Sequence, residues 1–205
     1  MDKNGYTVIL LEGNNDKLFI KWLLDIYHIQ LPNYVKIAQV GGKSKFRTYI
    51  EDDIKAQSYD KENMIDYEKI IVSKIVIIKD FDTDDKKTEE KELQKIAGPE
   101  IFLEVKYIDG TDNPPRTLET LIINNDGDRL KHYRDHIHEF DKFWSGKTPK
   151  QSLGKITDKT IFESYLKLTV DRIEYSEANL NQLFDKDKIK QTPQLVELVE
   201  YIQSL

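Results

Sequence analysis

The residues of this chain best suited to chemistry are carboxylates, and they come in two groups. Glu12 ends the apolar run from Tyr6 to Leu11, and Asp16 follows four residues later in the first turn of an expected helix. Asp80 and Asp82 end the run from Ile70 to Ile78; their two-residue separation places both on one side of an extended chain, with Phe81 on the other. If the two runs are neighbouring strands, four carboxylates converge on a small volume. Like charges that close cannot all ionise comfortably, and a divalent cation removes the cost. Oxygen donors without nearby His or Cys select Mg²⁺ or Mn²⁺ rather than zinc. Such an ion commonly shares its shell with a substrate phosphate, so phosphoryl or phosphodiester chemistry is the natural class.

The elements that must position these acids are legible from periodicity. Tyr6 to Leu11 reads as a strand, followed by a helix capped by Asn14 or Asn15 and carrying Leu18, Phe19, Trp22, Leu23 and Ile26. Val35 to Val40 is a second strand stopped by Gly41-Gly42, and Phe46, Ile50 and Ile54 mark a helix over 44–57. Ile70 to Ile78 is the third strand, a charged helix runs from about Asp84 to Ala97, and Ile101 to Ile108 is the fourth strand. Alternating strands and helices joined this way favour right-handed parallel βαβ units, and near-continuous apolar strands fit a sheet covered on both faces. Beyond the Pro114-Pro115 loop strand signals vanish. Helices are expected at Thr117 to Ile123, around Leu130 to Trp144, around Ile161 to Leu166, and after Thr192-Pro193. The layout is one α/β domain over 1–125 with a helical C-terminal part, 126–205, packed on it.

Composition narrows the class. The 205 residues are 39% apolar and 33% charged, which supports a core under a charged surface and excludes a disordered or collagen-like chain. There is no cysteine, so disulfide scaffolds, thiol nucleophiles and zinc ribbons are out. The longest apolar runs, Val8 to Leu11 and Ile75 to Ile78, are too short to span a bilayer, and Met1-Asp2-Lys3-Asn4 lacks a signal-peptide layout; a cytoplasmic protein without a membrane partner is expected. The net charge of −6 hides an asymmetry: seven acids against three lysines between Asp80 and Glu92, but a basic cluster of Lys43, Lys45 and Arg47, and five lysines against two aspartates from Asp141 to Lys159. Basic segments flanking an acidic spot suit a metal site with phosphate-binding edges, whereas a charge run by itself is a solvated face.

Two stretches carry a family resemblance. Val8-Ile9-Leu10-Leu11-Glu12-Gly13-Asn14-Asn15-Asp16 resembles the first motif of the TOPRIM domain, an apolar strand followed by Glu-Gly and then Asp. Ile75-Val76-Ile77-Ile78-Lys79-Asp80-Phe81-Asp82 resembles its second, the Asp-x-Asp at the end of the third strand. The resemblance covers roughly residues 5–125. It implies a Rossmann-like, mostly parallel four-stranded sheet flanked by helices, Mg²⁺ or Mn²⁺ as cofactor, and phosphodiester chemistry on nucleic acid. The OLD-family nucleases fit best among the branches, because Thr117-Leu118-Glu119 is similar to their Ser-x-Glu. The resemblance thus makes Glu119 a further ligand and Lys159, or failing that Lys155, the lysine that assists cleavage. It implies a hydrolase, a two-metal endonuclease acting on DNA in preference to RNA, with Glu12, Asp80 and Asp82 on one ion and Asp16 and Glu119 on a second. Lys43, Lys45, Arg47 and Lys155 would contact the backbone of the nucleic acid. A metal- and nucleic-acid-binding module without catalysis is the alternative.

Other motifs are weaker. Gly41-Gly42-Lys43-Ser44 lacks the earlier glycine of a phosphate-binding loop, since that position is Ile37, and reads as a tight turn. Asp80-Phe81-Asp82-Thr83 resembles the nucleophile motif of haloacid-dehalogenase phosphatases, but Asp84 replaces the threonine or valine that family requires and a whole βαβα segment precedes it. A calcium loop starting at Asp80 fails at Asp85 and Lys91. His132, His136 and His138 do not share one helix face and read as a surface helix. Trp22, Trp144 and most phenylalanines fall on apolar faces and read as core.

Overall fold

A computed structural model of the chain describes residues 5–80, 86–108, 128–147, 156–170, 180–181 and 184–205, with some side chains inside these ranges excepted. Two compact units emerge, Met1–Ile108 with Glu197–Leu205, and Asp109–Val196.

The first unit is built on a four-stranded, fully parallel sheet: β1 (Tyr6–Leu11), β2 (Val35–Gln39), β5 (Val72–Asp80) and β6 (Phe102–Ile108), in the order β2-β1-β5-β6. Helix α1 (Asn14–Ile26) joins β1 to β2. The expected helix over 44–57 is a composite: a 3₁₀ turn at Lys43–Lys45, one α turn that we label α2 (Phe46–Tyr49), and a π-helical stretch at Ile50–Lys55. Two short strands that the periodicity did not announce, β3 (Tyr59–Asp60) and β4 (Ile65–Asp66), pair antiparallel before β5, and α3 (Lys86–Ala97) joins β5 to β6.

Connection handedness explains how the layers form. The step from β1 to β2 runs one way across the sheet, while β2 to β5 and β5 to β6 run the other way. Right-handed crossovers therefore put α1 on one face and α2 and α3 on the opposite one. Packing agrees. Val8, Leu10, Ile75 and Ile77 meet Phe46, Tyr49, Ile50 and Ile54 together with Leu93 and Ala97 of α3. The alternate residues Ile9, Leu11, Val76 and Ile78 are at most 1% exposed and face the other way, toward the side of α1 with its buried Phe19, Ile20 and Leu23. Gly5 is a close-approach glycine: a Cβ there would sit 2.5 Å from the Ser73 Cβ.

The last helix, Pro193–Gln203, belongs from Glu197 onward to the sheet unit. The sequence alone grouped that segment with the C-terminal part. The Tyr201 ring lies 6.0 Å from the Lys74 ammonium and 5.5 Å from that of Lys106. Lys74 shares the face of Val76 and Ile78 by alternation, so this helix covers the part of the α1 face that the βαβ connections leave open.

The second unit contains α4 (Asp128–Lys147), α5 (Asp158–Val170) and α6 (Lys186–Gln191), so the Pro193–Gln203 helix is α7. The Tyr133 and Tyr165 rings, 5.5 Å apart, link α4 to α5, and Phe162 stacks on Phe184 at 5.9 Å. Asp185 caps α6 by accepting from the Asp187 and Lys188 amides.

Candidate functional site

Parallel sheets present their ligand-binding groups beyond the carboxyl ends of the strands. Here β1 and β5 are hydrogen-bonded neighbours in the register Leu11↔Ile78. Glu12 is thus one residue past that pair on β1 and Asp80 two residues past it on β5. These two expected acids stand at adjacent strand ends, both partly buried, and one Glu12 carboxylate oxygen is sealed from solvent.

Asp16 is in the first turn of α1, as expected, and its Oδ2 accepts the Gly13 N–H at 2.9 Å. That bond closes the helix start, where an acid also complements the helix dipole. It draws Asp16 back toward the Glu12-Gly13 turn. Asp82, Glu119 and Lys155 lie outside the described residues, as does the side chain of Lys159, although α5 covers its backbone. Among the described residues, no three Asp, Glu or His side chains gather closely enough to hold a metal by themselves. The chemistry of the described donors, carboxylate oxygens only, nonetheless fits a hard cation.

The Gly41-Gly42 turn completes this edge. Gly41 has φ +81° and Gly42 φ +129° with ψ 156°, conformations that favour glycine. The turn lets the Gly42 N–H donate to the Glu12 carbonyl at 2.6 Å, next to the Val40 N–H donating to Leu11 at 2.9 Å. The basic segment therefore starts at the same edge as Glu12. Lys45 and Arg47 are exposed, and Arg47 meets Glu51 only loosely at 3.7 Å; the Lys43 side chain is outside the description.

Two features escaped the sequence reading. Lys79, between Ile78 and Asp80, is only 4% exposed. Its ammonium pairs with Glu89 of α3 at 2.8 Å and lies 5.9 Å from the Phe46 ring centre, while the Tyr107 hydroxyl donates to the other Glu89 oxygen at 3.0 Å. A buried cation with its own carboxylate partner is thus built into β5 directly before Asp80, on the face of α2 and α3. Its only sequence signal is a lysine closing an otherwise apolar strand.

The second feature is a buried polar network under the β2 edge. Asp60 is 7% exposed and its Oδ1 accepts the Glu62 and Asn63 amides at 2.9 and 3.0 Å. Its Oδ2 accepts the Tyr49 hydroxyl and, at 2.7 Å, the Asn63 side-chain amide. Tyr49 in turn meets the Tyr67 hydroxyl at 3.0 Å. Burial raises the pKa of both phenols, with the neighbouring phenol and Asp60 adding to the effect at Tyr49. Lys17 is lowered, by burial first and then by Lys21, against the opposing pull of Asp60 and Glu62. The available signal was the Asp60–Asn63 spacing, which suits an Asx turn.

Comparison of the chain with protein-family models, curated proteins and solved structures finds no match in any of the three.

Proposed function

We propose that this chain is a TOPRIM-like protein of the OLD-nuclease kind, a metal-dependent enzyme that cleaves phosphodiester bonds in nucleic acid, DNA in preference to RNA. One observation carries the reading: Glu12 and Asp80, from stretches far apart in sequence, stand at the carboxyl ends of adjacent parallel strands in the β2-β1-β5-β6 sheet. Glu12, Asp80 and Asp82 would hold one Mg²⁺ or Mn²⁺, and Asp16 with Glu119 a second. When bound, such ions supply an activated water and neutralise charge on the scissile phosphate.

The chain's own groups do the rest. Glu12 is set by the Gly42 amide on its carbonyl, and the buried Lys79–Glu89 pair ties the end of β5, next to Asp80, to α3. Exposed Lys45 and Arg47, with Lys43 and Lys155, position the phosphate backbone without reading sequence. Lys159 counters charge that develops on the phosphate or leaving oxygen.

The test is nicking of supercoiled DNA, beside structured RNA, in Mn²⁺ and in EDTA. Asp80→Ala is expected to abolish Mn²⁺-dependent cleavage while retaining cooperative unfolding. Undiminished nicking by that variant would refute the scheme. Retention of DNA without cleavage by the wild type would point instead to a binding module.

A further inference from the structure

Asn63 uses its entire side-chain hydrogen-bonding capacity. Its amide nitrogen donates to the Gln39 carbonyl at 2.9 Å and to Asp60 at 2.7 Å. Its oxygen accepts the Gln39 N–H at 2.9 Å and the Lys17 ammonium at 2.6 Å. Two donors and two acceptor sites are all that an asparagine side chain has. Toward Gln39 it behaves as a further strand would, engaging both outward backbone groups of the last residue of the edge strand β2. Only a short side chain with a donor and an acceptor side by side can do this. The left-handed Met64, φ +58°, turns the chain away immediately afterwards.

From Asn63, two paths lead to Glu12. One passes through Gln39, whose side-chain oxygen accepts the Gly41 amide at 2.9 Å, to Gly42 and its bond to the Glu12 carbonyl. The other passes through Lys17 to the first turn of α1, where the neighbouring Asp16 holds the Gly13 amide. Asn63 is itself anchored by Asp60, and Asp60 by Tyr49.

We infer that Asn63 is a positioning residue for the acidic edge, holding the Gln39–Gly42 turn and the first turn of α1 on either side of Glu12. Its effect on metal binding rests on the nuclease reading; its effect on the two turns does not. Outer partners of metal ligands commonly change affinity by about 10–100-fold when removed.

The experiment compares the wild type, Asn63→Ala and Tyr67→Phe. The last removes a hydroxyl from the far end of the same network without touching either path. Amide exchange at Gly13 and Gly42, urea unfolding, and Mn²⁺ affinity by paramagnetic titration are measured on each. Asn63→Ala is expected to speed exchange at both glycines by about tenfold or more, as local opening becomes easier, and to weaken Mn²⁺ binding by about tenfold. Tyr67→Phe should lower stability with neither effect. Unchanged exchange in Asn63→Ala, or the same loosening in Tyr67→Phe, would overturn the inference. If the wild type binds no Mn²⁺, the nuclease reading fails while the exchange data still decide the role of Asn63. Should Asn63→Ala not fold, Lys17→Met cuts one path alone: faster exchange at Gly13 with Gly42 unchanged supports the inference, and no change at Gly13 refutes it.

Discussion

Replacing Asp60 with asparagine should destabilise the protein out of proportion to the one-atom change. The aspartate is 7% exposed and both its oxygens accept two hydrogen bonds. An amide in its place must turn its NH₂ toward one of the two pairs. On the Oδ1 side it would face two backbone N–H groups that cannot reverse. On the Oδ2 side Tyr49 can swing its proton to Tyr67, but the Asn63 amide still meets a donor. A buried donor left unsatisfied costs about 1–3 kcal/mol, and the lost assistance of the charge adds to it, so Asp60→Asn should cost about 2–4 kcal/mol near neutral pH. The pH dependence gives a second check. Burial alone would raise the Asp60 carboxyl, but the bonds from Tyr49, Asn63 and Glu62 outweigh it and hold the group below its ordinary 3.8. The folded form therefore takes up the proton less readily than the unfolded form. The contribution of the ionised group is complete above 3.8 and is lost as pH falls through the lower folded value. The variant lacks that ionisation, so its deficit should shrink in acid. Urea unfolding followed by fluorescence of the buried Trp22, in steps from neutral to about pH 3, measures both effects. A deficit under about 0.5 kcal/mol, or one constant with pH, would refute the reasoning.

Other substitutions probe the frame around the site. Ile77→Ala, at a fully buried position of β5, should cost about 2–5 kcal/mol by urea unfolding. Gly42→Ala meets no atom within 4 Å of the new Cβ, so its expected cost of about 1–3 kcal/mol is backbone strain; thermal unfolding and exchange at the same amide would register it. Ending the chain before Glu197 removes Leu198, Val199 and Ile202, each at most 4% exposed. At about 1.5–3 kcal/mol per side chain, that loss rivals the stability of a typical domain. The truncated chain should show no cooperative thermal transition.

The four sheet strands and α1 were legible because long apolar runs and a helical stripe carry a period, and their carboxyl ends foretold where Glu12 and Asp80 would stand. The β3–β4 pair was not legible. Two-residue strands have no period, and the stretch Tyr59-Asp60-Lys61-Glu62-Asn63 reads as a polar surface loop until Asp60 is seen buried beneath it. Lys79 was invisible for the opposite reason, as a charge at the end of an apolar run looks like the start of a loop. The π-helical stretch at Ile50–Lys55 kept its apolar four-residue steps and so passed for an ordinary helix. The placement of α7 could have been deduced. Once the order of the strands is known, crossover handedness leaves one face with a single helix, and an apolar helix carrying Leu198, Val199 and Ile202 was available to fill the gap.

That last arrangement has a consequence for biosynthesis. The strands leave the ribosome first, while the helix whose Tyr201 lies by Lys74 and Lys106 is made only after the whole second unit. Until then the part of the sheet face around Lys74 and Lys106 lacks this helix, whose own Leu198, Val199 and Ile202 are buried in the finished fold, and the nascent chain should be a customer for chaperones that grip apolar surface. Protease challenge of stalled chains, halted before Glu197 or beyond Leu205, would date the moment at which the sheet becomes resistant.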